Sequence, residues 1–195
     1  MSASAPAPTP APAPAALLTT PLHALHRSLG ARMVPFAGYE MPVQYPAGVM
    51  AEHRHTRAQA GLFDVSHMGQ IRLDGPQAAQ ALESLVPVDV LGLKPGQQRY
   101  AFFTNEDGGI LDDLMVVRPH VHEGFGDLLL VVNAACKAAD LAHLRQTIGA
   151  QCTVTDLPDR ALLALQGPLA LAVLQRLNAA VEELRFMQGC ALDLE

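Results

Sequence analysis

The sequence has no tryptophan, only 5% aromatic residues and only 16% charged residues. Each scarcity excludes something. Few aromatics leave few platforms on which nucleic-acid bases could stack. Thirteen Lys and Arg against nineteen Asp and Glu give a net charge of −6, and no basic patch is visible, so a broad nucleic-acid surface is not expected. Cys136, Cys152 and Cys190 are odd in number and widely spaced, which fits neither a disulfide framework nor a zinc site built from close pairs. They read as reduced thiols of a cytoplasmic protein. No apolar run approaches the ~20 residues of a membrane span. No GxGxxG, GxxxxGK[ST], GxSxG or HExxH occurs, so the common dinucleotide, phosphate-loop, serine-hydrolase and zinc-protease readings have no support.

What is present is a chain of 195 residues that is 50% hydrophobic, enough for a sizeable core. Residues 1–18 are Ala/Pro low-complexity sequence, without the basic and apolar regions of a secretory signal and without Arg for a transit peptide. They read as an extended, disordered tail. The ordered region is expected over residues 19–195.

Thr20-Pro21 looks like a helix start, with Leu22, Leu25 and Leu29 on one face and Gly30 as the stop. Met33 to Tyr45 reads as an irregular packed segment, and Val49 to Ala60 as a helix. Strands are expected at Gln70–Leu73, Tyr100–Thr104, Ile110–Val117, Leu128–Val132, Thr153–Thr155 and Leu162–Leu165. Asn105 to Gly109, NEDGG, is a hairpin turn. Helices are expected after Pro76, near Lys137 to Gln146, and from Gln166 to about Leu177. The fold class is therefore α+β, with mixed or antiparallel sheets and packed helices.

The most informative segment is ILDDLMVV, Ile110 to Val117. Side chains alternate in a strand, so Asp112 and Asp113 face opposite ways, each among aliphatic neighbours. That is the pattern of a strand covered on both sides, where carboxylates are costly unless hydrogen-bonded or facing a cleft. A single cleft receives only one of them. The structural alternative is that both cap the NEDGG turn. Asn133 reads either as a site residue or as a helix N-cap, Tyr100 as a site residue or a hairpin aromatic, and Met68 as a cavity wall or core. His67 reads as a hydrogen-bonded structural histidine. His53, His55, His120 and His122 are not placed as metal ligands.

Taken together, TPLHALHRSLGARMVPFAGYEMPVQY, AGLFDVSHMGQIRLDGP, TNEDGGILDDLMVV, LLLVVNAACKAADLAHL and ALLALQGP resemble, in collinear order, the aminomethyltransferase (T-protein) family of the glycine cleavage system. The resemblance implies a folate-binding aminomethyltransferase-like fold. Residues 19–195 would be its N-terminal folate-binding region, with an approximate subdivision at 68–154 and the C-terminal part missing. It implies transfer of the methylene of an S-aminomethyl-dihydrolipoyl group to tetrahydrofolate, with release of ammonia. The lipoyl group is carried by a partner, the lipoylated H-protein. The family's key carboxylate falls on Asp113 as the catalytic residue, and Met68, Tyr100 and Asn133 match positions lining the folate cavity. The weighed alternatives are a folate-binding part of a related demethylase or oxidoreductase, and a non-catalytic folate-binding iron–sulfur assembly-type protein. Partners that are nucleic acid or membrane are not expected, nor is a metal.

Overall fold

The structure is a computed structural model, and it describes residues 16–120 and 124–194. Tail residues 1–15 therefore lie outside the described residues, as does His122. Leu18, which the sequence reading put in the tail, is tied down. It bridges Tyr39, donates to the Gly38 carbonyl and accepts from the Glu40 N–H, both at 2.9 Å.

The chain first builds a small layer. Helix α1 (His23–Ser28) leads to strands β1 (Arg32–Phe36) and β2 (Tyr39–Gln44), which pair antiparallel. This hairpin replaces the expected irregular segment. Its two-residue turn, Ala37-Gly38, holds both residues at positive φ (48° and 82°), the geometry a tight hairpin needs. Pro35 and Pro42 are tolerated because at both positions the two-stranded sheet has a free edge, the Leu18 bridge being confined to Tyr39. Helix α2 (Val49–Ala58) and strand β3 (Gly61–Asp64) follow, and β3 pairs antiparallel with the distant β9 (Leu163–Gln166).

In α1 the expected leucine face is not the buried one. Leu25 and Leu29 are exposed, and His26 is the buried residue. The reason is polar: the Tyr45 hydroxyl lies 2.7 Å from His26 Nδ1, and Asp64 accepts from Nε2 at 2.9 Å. Nor does Thr20 cap this helix; the N-cap position is Leu22, without a side-chain cap.

The main body is a five-stranded antiparallel sheet drawn from residues 69–156. Its strands are β4 (Gly69–Asp74), β5 (Gln97–Thr104), β6 (Ile110–Arg118), β7 (Leu128–Val132) and β8 (Thr153–Asp156), in the order β5-β6-β7-β4-β8. Helices α3 (Ala78–Glu83) and α4 (Lys137–Thr147) cover one face. There Ile71, Leu73, Ala101, Phe103, Leu114, Val116, Leu128, Leu130 and Val132 pack against Ala78, Leu82, Leu144 and Ile148. Every second strand residue supplies this core, as the period of two demands. A last short helix, α5 (Ala170–Gln175), and a 3₁₀ turn at Ala179–Glu183 follow β9.

Candidate functional site

The two aspartates part company on β6. Phe103 pairs with Asp112 and Thr104 with Ile110, so Leu111 is an extra residue that bulges the strand just before the aspartates. Asp112 points into the core face and is buried; Asp113 points to the other face and is exposed. The turn is capped by neither. Asn105 does that, its Oδ1 accepting from the Asp107 and Gly109 N–H groups at 3.1 and 2.7 Å.

The face that carries Asp113 is open among the described residues, which corrects the expectation of a strand covered on both sides. Phe102 pairs with Asp113 and Tyr100 with Met115, and Met115 in turn pairs with Val131. All lie on the same face. Tyr100 is 62% exposed, Phe102 40% and Leu111 49%. Asp113 thus stands in an apolar, partly aromatic patch that water reaches.

Asn133 follows β7 and holds both carboxylates. Its Nδ2 donates to Asp113 Oδ1 at 2.9 Å, to the Asp113 carbonyl at 3.1 Å and to Asp112 Oδ1 at 3.0 Å. Its backbone N–H reaches Asp112 Oδ2 at 3.3 Å. Its carbonyl also accepts from the Cys136 and Lys137 N–H groups at the start of α4. Asn133 therefore fixes the helix entry and the aspartates together.

Met68 sits apart from this group. It is half-buried in a bend before β4 and lines a recess of about 200 Å³ with Tyr39, Gly69, Lys137 and Ala138, which none of Tyr100, Asp113 and Asn133 borders. Gly69 is required there, because a Cβ would lie 2.7 Å from Val132 Cγ2 and 2.9 Å from Lys137 Cβ. So the structure brings Tyr100, Asp113 and Asn133 together and places Met68 one residue beyond the Gly69–Val132 pair.

His67 is buried as expected, but its Nδ1 has no hydrogen-bond partner among the described residues. Its ring packs edge-on against Phe36 and Tyr39, while the Lys137 ammonium donates to the Tyr39 hydroxyl and the His67 carbonyl. Burial first, and then Lys137, push the imidazole pKa down.

A further cleft lies elsewhere. About 480 Å³ opens between β2, α2 and β3, with Met41, Val43, Leu62 and Phe63 as apolar walls and Tyr45, Glu52 and Asp64 as polar ones. Of its two carboxylates, Glu52 accepts from the Tyr45 N–H at 2.7 Å and Asp64 is already saturated. Burial works to raise the Asp64 pKa, but hydrogen bonds from Ser66 and His26 prevail and hold it at about 2. A carboxylate so satisfied is a poor base and a poor acceptor for a ligand. The Asp113 face, with a carboxylate held by one amide, is the better site for chemistry.

Sequence reasoning missed a third carboxyl beneath this site. Asp140 on α4 is 4% exposed and hydrogen-bonds Asp112. Burial first, then Asp112, raise its pKa to about 7. The Cys136 thiol also bonds Asp112 and is pushed up, by burial first and then by the Asp112 charge. The signal was available: Cys136, Asp140, Leu144 and Ile148 recur every four residues, so Asp140 lies on the core-facing stripe.

The profile of the GCVT N-terminal domain family matches residues 22–195. An "Aminomethyltransferase, mitochondrial" of Dictyostelium discoideum is 46% identical over 169 residues, 82% of this chain and 40% of the relative. An "Aminomethyltransferase" of Synechococcus sp. (strain CC9311) is 45% identical over 181 residues, 90% of this chain and 49% of the relative. The crystal structure of glycine cleavage system aminomethyltransferase T from Bartonella henselae superposes with a TM-score of 0.83 at 48% identity, over 90% of this chain and 47% of that one. The chain spans about half the length of the curated relatives it matches.

Proposed function

Because the chain belongs to the GCVT N-terminal domain family, we propose that it serves aminomethyl transfer to tetrahydrofolate, the aminomethyl group arriving on the lipoyl arm of an H-protein and leaving ammonia behind. The observation that carries this reading is the Asp113 carboxylate, exposed opposite Phe102 and diagonal to Tyr100 on an open sheet face and held by the Asn133 amide. The names of the relatives favour this transfer over a demethylase, an oxidoreductase or an iron–sulfur assembly role.

The residues fit a folate. A flat pterin ring suits exposed aromatic side chains, and its N–H groups suit a carboxylate acceptor. Tetrahydrofolate, when bound, supplies the nitrogen that takes up the one-carbon unit. Asn133 occupies Asp113 Oδ1 and leaves the second oxygen to accept a ligand N–H. Asp113 thereby orients the folate and receives a proton at that oxygen, while Tyr100 and Phe102 keep water from one side of it. Tyr100 and Asn133 are assigned to the cavity wall beside Asp113, and Met68, which like Asn133 lies one residue beyond the Gly69–Val132 pair, to its margin. Residues 68–154 then form the folate-facing part of an N-terminal region spanning 19–195, preceded by a tail over 1–18 whose last residue, Leu18, is held by β2. No helix among the described residues is long and apolar enough to cross a membrane. The free thiols of Cys136 and Cys152 support placing the protein in the cytoplasm.

The test is ammonia release from an aminomethylated lipoyl carrier in the presence of tetrahydrofolate, using the protein that carries this chain. Asp113→Asn should lower the rate about 100-fold, the scale of a lost acid–base group. Equal rates for wild type and Asp113→Asn defeat the assignment.

A further inference from the structure

Asp112 and Asp140 are the two most deeply placed carboxyls of the main sheet and its helix, 8% and 4% exposed. Two carboxylates cannot both be charged in so apolar a setting without a cation nearby. The groups around the pair are Asp113 from β6, Cys136 from the turn before α4, the Asn133 amide after β7, and His143 on α4, whose ring packs edge-on against Phe103, the cross-strand partner of Asp112. None of these carries a permanent positive charge. Lys137, three residues before Asp140, is turned to Tyr39 and the His67 carbonyl instead.

The donors are unevenly shared. Asp112 accepts from Asn133 Nδ2, from the Asn133 backbone N–H and from the Cys136 thiol. Asp140 Oδ2 has no hydrogen-bond partner among the described residues. The single proton of the pair therefore resides on Asp140.

We propose that Asp140 is a positioning residue for Asp113: as a carboxylic acid it donates to the buried Asp112 carboxylate, which anchors the Asn133 amide that in turn fixes Asp113. Below its pKa Asp140 keeps the O–H, and the proton it loses above that pKa goes to solvent. Loss of that proton puts two charges beneath Asn133 and loosens its grip on Asp113. The burial-raised pKa of Asp140, about 7, places this loss near neutral pH. The claim also stands on the burial of both carboxyls and on the Asn133 bonds to Asp112 and Asp113, and its consequence for folate rests on the function proposed above.

Side-chain NMR of this chain tests it without any ligand. The Asn133 side-chain amide signals should move with the same midpoint as the Asp140 carboxyl carbon, near pH 7. Asp140→Asn retains a donor toward Asp112 and removes the titration, so its Asn133 signals should stay at their low-pH position at every pH. Asp140→Ala removes the donor, so its signals should be displaced at every pH. A merely space-filling Asp140 would leave the Asn133 amide unmoved across the wild-type titration. That result overturns the proposal, as does a midpoint that survives in Asp140→Asn. Calorimetry with tetrahydrofolate separates the two readings. Amide movement that follows Asp140, with affinity equal in wild type and Asp140→Ala, supports the positioning and counts against the folate assignment.

Discussion

Two carboxylate centres sit in this molecule, and they are built on opposite plans. In the small layer, Asp64 is ringed by donors: the Ser66 N–H, His26 and the walls around them. Its side chain is 1% exposed. In the main sheet, Asp113 is exposed, Asp112 is buried, and Asp140 beneath them lacks a donor at one oxygen. A saturated carboxylate joins elements; here Asp64 ties β3 to α1, with Tyr45 of the following segment bound to the same imidazole. An under-donated one has capacity left for a proton or a ligand. The lesson is that the number of donors, rather than the size of the adjoining cavity, separates the structural carboxylate from the chemical one. It is Asp64 that borders a cleft of about 480 Å³.

The comparison breaks if the two centres respond alike to substitution. Asp64→Ala should cost about 3–5 kcal/mol, since it leaves a buried imidazole without its counterpart. Asp113→Asn, at an exposed position, should change stability by less than about 0.5 kcal/mol while slowing transfer. Urea denaturation of both variants measures the gap, and equal losses would erase the distinction.

Acid titration sharpens it next. The Asp64 pKa is depressed from 3.8 to about 2, so its contribution is complete above the unfolded value and is lost as pH falls from about 4 toward 2. A shift of this size corresponds to about 2 kcal/mol. The urea midpoint of wild type should fall over that window and that of Asp64→Asn should not.

Asp140 has the opposite sign. Its folded pKa is raised, so its stabilising effect is complete below about pH 4 and is lost as pH rises through about 7. Asp140→Asn should flatten the decline in stability between pH 4 and 7, read by thermal denaturation at fixed ionic strength. The smallest effect is expected from Tyr100→Phe, which retains the exposed ring. Its stability should lie within about 0.5 kcal/mol of wild type.

Much of this was legible in the chain. The NEDGG turn, the strands on either side and the opposed aspartates follow from turn chemistry and the two-residue period. Less legible were features whose cause lies far along the sequence. The β1–β2 hairpin turns on Ala-Gly and carries two prolines, so it offers neither the Asn-Gly signal nor a clean strand pattern. Strand β3 is defined by pairing with β9, about a hundred residues away, and is too short to announce itself. His26 is buried in preference to Leu25 because Tyr45 and Asp64 converge on it, which no local periodicity encodes.

The bulge at Leu111 bears on how this strand tolerates insertion and deletion. A single-residue slip in β6 exchanges the two faces of every residue that follows it. The tandem aspartates make that exchange nearly silent for the carboxylates, because one would still point each way. It would be ruinous for Leu114 and Val116, which are 2% and 0% exposed and would both be turned out to water. Alignment of the strand is therefore policed by its aliphatic residues. The doubled aspartate, which looks like the feature that sets the register, is the one part of the strand indifferent to it.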